Sequence, residues 1–185
     1  MRKLLIMFFV IISTQVYALE DLIKTVPEQN LAAVQYLIND YSKQCSEHQD
    51  SGENRSLKID EDNLVQIKLL QGNTELTVLT ASFECPGVGH IWSGSAGSPT
   101  YLIIEDMVFE TNRGNPHPFD ISEDKTVLIN WHGGNYCETL NGEAYPNAGA
   151  CFSSMYWDNY KKTFVVFGNP EKVLREVVLM DLDTR

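Results

Sequence analysis

The chain has little of what most enzyme chemistry needs. Its 185 residues hold four histidines, His48, His90, His117 and His132. None is paired at a ligand spacing such as H-x-x-x-H, so no metal site is expected. There is no C-x-x-C, which removes the usual oxidoreductase motif. No Gly-Lys-Ser/Thr run exists to cradle a phosphate. Ser95 lies in "WSGSAGS", yet Ser93 replaces the first glycine of a Gly-x-Ser-x-Gly elbow. A β-rich run follows where that elbow has a helix. Asp60-Glu61-Asp62-Asn63 and Asp120, Glu123 and Asp124 supply hard oxygens. Neither group has the glycine and distal bidentate Glu of an EF-hand loop. No catalytic residue, metal or cofactor is therefore expected.

Bases are also scarce. There are 14 Lys and Arg against 25 Asp and Glu, a net charge of −11. Such a chain repels nucleic acid and anionic membrane and favours a basic partner. Long apolar runs are missing too. Only Leu4–Ile12 is unbroken, and it is far short of the roughly 20 residues of a bilayer span. Behind Arg2 and Lys3 and ahead of Val16-Tyr17-Ala18 it reads as a signal peptide over residues 1–18, cut after Ala18. Removing the leader's two bases leaves 12 bases against 25 acids, or −13. Residues 19–185 are expected to form a single globular domain in the periplasm or outside the cell.

All four cysteines, Cys45, Cys85, Cys137 and Cys151, lie beyond the leader. An even count in an exported chain reads as two disulfides. Three pairings exist. Cys45–Cys85 with Cys137–Cys151 is preferred, because the second pair brackets the loop-like "ETLNGEAYPNAGA". His132 lies five positions before Cys137, but a bridged cysteine is no nucleophile.

Residues 25–45 carry apolar positions at three- and four-residue steps: Leu31, Val34, Leu37, Ile38 and Tyr41. Thr25 and Glu28 have capping-box spacing, and Pro27 suits a first turn. This predicts one amphipathic helix ending at Cys45. The period then changes. "NLVQIKLL" and "ELTVLTASFE" flank Gly72-Asn73, a hairpin signal. "TYLIIE", "MVFET", "TVLINW", "TFVVFG" and "VLREVVLM" follow between Asn, Gly and Pro clusters. The last alone reads equally as a short helix. The expected fold is α+β, with one N-terminal helix packed on a mainly antiparallel sheet.

Trp92, Trp131, Tyr136, Tyr145 and Trp157 are the candidate recognition residues, with Tyr156 and Tyr160 nearby. Loop aromatics bury large area at low entropic cost. They serve equally to cover a sheet and pack on disulfides, and the sequence leaves both roles open.

"FECPGVGHIWSGSAGSPTYLII" and "HGGNYCETLNGEAYPNAGACFSSMYWDNYKKTFVVF" together resemble small secreted proteobacterial proteins of no assigned activity. The likeness covers about 60 residues. Such proteins often carry an acidic turn before the first cysteine strand and extra cysteines in the Gly-Ser segment. Here the turn is Gln71-Gly72-Asn73-Thr74, and the segment with Ser95 and Pro99 has no cysteine. The resemblance implies an envelope or secreted location and no activity.

The leading expectation is a non-catalytic binding or inhibitor-like module whose partner is a basic protein or an envelope glycan. The alternative is a small secreted hydrolase built on His132, His90 and acidic residues. A third reading is a structural envelope component.

Overall fold

The computed structural model describes residues 19–48, 56–94, 97–111, 116–133, 150–174, 176 and 177. The leader segment, Cys137, Tyr136 and Tyr145 lie outside the described residues.

Two helices come first, α1 (Leu19–Ile23) and α2 (Glu28–His48). The capping box read at Thr25 and Glu28 is not how α2 begins. Thr25 Oγ1 donates to the Leu22 carbonyl at 2.7 Å, so its hydroxyl closes α1. The chain then turns, and the Pro27 carbonyl accepts from Asn30 N at 2.9 Å. The apolar stripe of α2 is buried as its periodicity requires: Ala33, Val34, Leu37, Ile38, Tyr41 and Cys45.

Nine strands follow among the described residues: β1 (Leu64–Leu69), β2 (Thr74–Thr80), β3 (Thr100–Ile104), β4 (Met107–Thr111), β5 (His117–Ser122), β6 (Lys125–Gly133), β7 (Ala150–Asp158), β8 (Thr163–Val166) and β9 (Asn169–Val173). They do not form the one sheet expected. Strands β1-β2-β3-β4 make one antiparallel sheet and β5-β6-β7-β8-β9 a second. The protein is thus richer in β-structure than the α+β reading, although a helix does pack on a sheet. Of the run read as strand or helix, residues 173–180, the described part holds only Val173 at the end of β9 and a bridge from Glu176 to Phe109 on β4; the rest of β9 falls in the Asn-Pro cluster read as a break between strands.

Helix α2 covers one face of the first sheet and the second sheet covers the other. Side-chain alternation sorts the core into two layers. Leu79, Ile103 and Val108 pack with Val34, Leu37 and Tyr41 of α2. Leu76, Val78, Leu102, Ile104 and Phe109 pack with Leu128, Met155, Trp157 and Phe164 of the second sheet. A sheet covered on both faces explains why "LTVLT" in β2 is buried at successive positions.

Polar links fix the layers. The Asn30 amide donates to Thr77 Oγ1 and to the Ile103 carbonyl, each at 3.1 Å, and to the Glu75 carbonyl at 3.3 Å. The predicted β1–β2 hairpin is present, with Gly72 at φ +69°. A Cβ there would lie 2.6 Å from Asn159 Nδ2 in the β7–β8 turn, a side-chain end that can move aside, so it is the positive φ that favours glycine. Beside it, Gln71 grips the Thr126 backbone in both directions: Nε2 donates to the carbonyl at 2.6 Å and Oε1 accepts from the amide at 3.0 Å.

The Cys45–Cys85 disulfide forms as paired from the sequence, with its Cα atoms 5.5 Å apart. It ties the last turn of α2 to the loop after β2. Cys151 is also disulfide-bonded; its expected partner, Cys137, lies outside the described residues. Next to the first bridge, the Tyr41 and Tyr101 hydroxyls sit 2.9 Å apart. Burial, before any other cause, pushes both phenols above the ordinary tyrosine pKa.

Candidate binding surface

The second sheet has an inner and an outer face, and register decides which side chains fall on each. Leu128 pairs with Met155, and Trp157 with Phe164; all four point into the inter-sheet core. Their neighbours along each strand therefore point outward. Trp131 pairs directly with Phe152 on that outer face, and they are 41% and 72% exposed. Phe119 of β5 pairs with Val127 and is 58% exposed. Tyr156 pairs with Val165, which pairs in turn with Val173. Phe167 closes the row, its ring centroid 6.4 Å from that of Tyr156 in an edge contact.

The face is built rather than incidental. Lys125 Nζ stands 4.2 Å from the Tyr156 ring centroid, a cation–π contact that orients the ring. Val127 and Val165 are buried between these larger side chains. Among the described residues, seven of the eleven exposed large hydrophobics belong to β5–β9 and their turns. Scattered apolar residues are ordinary on a surface, but a contiguous patch on one sheet face marks an interaction site.

Charge is distributed in the opposite sense. Among the described residues, those within 19–111 carry 13 acids against four bases, whereas those within 116–174 carry five against four. The helix and first sheet hold most of the negative charge, and the second sheet holds the apolar face.

The predicted recognition residues separate. Trp131 is on this face. Trp157 is not available to any partner: it is 1% exposed, with its ring edge-on to Phe109 and tilted on Phe164. Trp92 is half-buried. Its Nε1 donates to Gln44 Oε1 at 2.9 Å, and its ring meets Tyr41 edge-on at 5.0 Å, so it walls the helix-side core. Tyr136 and Tyr145 lie outside the described residues. Phe119, Phe152 and Phe167 were not singled out in the sequence. In "CFSSMYWD" both alternating sets carry an aromatic, so period two alone does not say which faces solvent.

The histidines do not assemble among the described side chains. His90 Nδ1 is 3.1 Å from the Ser82 carbonyl in the β2–β3 loop. His117 is on the β5 edge, paired with Ile129. The His132 backbone sits on β6 opposite Cys151, and its side chain lies outside the described set. Among the described residues, no three His, Cys, Asp or Glu side chains gather around a common point fit for a metal ion. A disulfide, and the lack among the described residues of a helix long and apolar enough to cross a membrane, are compatible with an extracellular or periplasmic setting. Compared with known proteins, the chain matches no family model, no curated protein and no solved structure.

Proposed function

We propose that this protein is an exported, non-catalytic binding module, and that it docks a basic partner protein on the outer face of its second sheet. The observation that carries the reading is the directly opposed Trp131–Phe152 pair, flanked on the same face by Phe119 and Tyr156. Aromatic and aliphatic side chains presented on a rigid sheet give the apolar centre an interface needs. The net charge of −11 supplies long-range attraction for a basic partner and discourages self-association. The basic n-region, apolar stretch and small-residue site at the N-terminus support export. The hydrolase alternative has no comparable observation behind it.

The test uses surface-immobilised full chain against basic and acidic proteins of matched size, a basic glycan hydrolase among them, and against neutral glycan fragments. Basic proteins are expected to bind, more weakly as salt rises. The double variant Trp131→Ala, Phe152→Ala should lose binding by at least about tenfold while keeping its circular dichroism, since both side chains are exposed. Salt-independent binding to glycan fragments instead would replace the protein partner with a sugar. Binding that is untouched by the double variant would refute the face.

A further inference from the structure

We infer that the cleft between β1 and β5 is a strand-addition site for an extended, cationic peptide segment of a partner. This deepens the binding reading and rests on it only for the positive charge of the ligand.

The cleft holds about 640 Å³ and runs between the outermost strand of each sheet. Its wall includes four consecutive residues of β1, Val65, Gln66, Ile67 and Lys68. Consecutive side chains on a strand point to opposite faces. Ile67 belongs to the inter-sheet core. Gln66 points the other way, for its Oε1 accepts from Thr77 Oγ1 at 2.7 Å, and Thr77 in turn accepts from Asn30 of α2. Lys68 shares that helix-side face, with Glu75 opposite it in register. What all four residues can present to one cleft is their backbone edge. The cleft therefore exposes the donors and acceptors of an edge strand, which is the template for a further strand.

Strand β5 forms the opposite wall and does not compete for the peptide backbone. Pro118 removes a donor from its edge, and proline is tolerated there because that side pairs with no strand among the described residues. Pro118 lines the cleft instead as an apolar wall, across from Val65, which is 42% exposed.

Two carboxylates bracket the site. Asp62 lines it just before β1 begins. Asp120 marks the far end. Its Oδ1 accepts from Thr126 Oγ1 at 2.7 Å, and Thr126 Oγ1 accepts from Leu70 N at 3.1 Å just past the end of β1. The six residues of β1 span roughly 20 Å at about 3.3 Å each. The fitting ligand is thus a strand of about six residues, apolar at alternate positions, with a cation near each end. A second copy of this chain is a poor occupant, because each copy carries a net charge of −11.

Fluorescence anisotropy with a labelled eight-residue peptide tests this. The peptide alternates valine and threonine and has lysine at both ends. It should bind the full chain, and Asp62→Asn with Asp120→Asn should weaken binding about tenfold and flatten its salt dependence. The same peptide N-methylated at alternate backbone amides, or ending in glutamates, should bind at least about tenfold less tightly. Trp131→Ala with Phe152→Ala should leave peptide binding unchanged. That variant separates the two readings: loss of protein docking with intact peptide binding touches only the outer face. Failure of the lysine peptide to bind would overturn the inference. So would equal binding of the N-methylated peptide, or self-association abolished by the two Asp→Asn changes.

Discussion

Replacing both cysteines of the described bridge, Cys45→Ala with Cys85→Ala, should destabilise the protein by about 4 kcal/mol through the unfolded chain alone. The bridge spans a sequence separation of 40 residues. The loop-closure relation for a ring of that size gives the figure directly. Both sulfurs are buried, so the two alanines leave small voids that add about 1 kcal/mol more. In a domain of this length each kcal/mol moves the melting temperature by about 2–4 °C. The expected fall is therefore about 10–20 °C. The double variant is a better perturbation than a reducing agent, which would also attack the bridge of Cys151. Urea unfolding followed by far-UV and near-UV circular dichroism is the assay. The native near-UV signal should persist, because Tyr41, Phe83 and Trp92 interlock edge-on beside the bridge. A loss below about 1 kcal/mol with native near-UV signal would refute the reasoning. It would mean that ring packing, not the covalent tie, limits the freedom of the last turn of α2.

Two further outcomes follow from buried polar groups. Asn30→Ala removes three hydrogen bonds from α2 to the first sheet and strands their acceptors, for an expected loss of about 2–4 kcal/mol in the same urea titration; a change below about 0.5 kcal/mol would show that these bonds do not anchor the helix. The Tyr41–Tyr101 pair predicts alkaline lability. Both folded-state pKa values are raised, so the folded protein holds protons that the unfolded chain releases above about pH 10. Their stabilisation is complete below that pH and is lost as pH climbs toward the folded values. Melting temperature against pH should fall from about pH 10 upward, and Tyr41→Phe should flatten that limb; an unchanged limb would assign the lability to other groups.

Much of this molecule is written locally. The three- and four-residue spacing of Val34, Leu37, Ile38 and Tyr41 specifies α2, and Gly72-Asn73 between β-rich runs specifies the first hairpin. The β3–β4 hairpin was less legible, since its turn is Glu105-Asp106 with both residues at positive φ and no glycine to announce it. The boundary between α1 and α2 was misread at Thr25, because a hydroxyl two residues before a proline suits the end of one helix as well as the start of the next.

Charge, the scarcity of catalytic motifs and the succession of short strands are properties of the chain alone. The division of those strands into two sheets is not. Period two says that neighbouring side chains face opposite ways, but which way is inward depends on the strands that pair and on the layer that covers them. Trp131 and Trp157 are the same residue type in adjoining strands. One stands beside Phe152 on the exposed outer face of the described sheet, and the other lies under Phe109 and Phe164 in the core. Likewise, only tertiary packing brings the edges of β1 and β5 together, because Gln71 just past β1 and Thr126 at the start of β6 meet across 55 positions of chain. Alternation is a local property of the backbone, whereas burial is decided by partners distant in the chain.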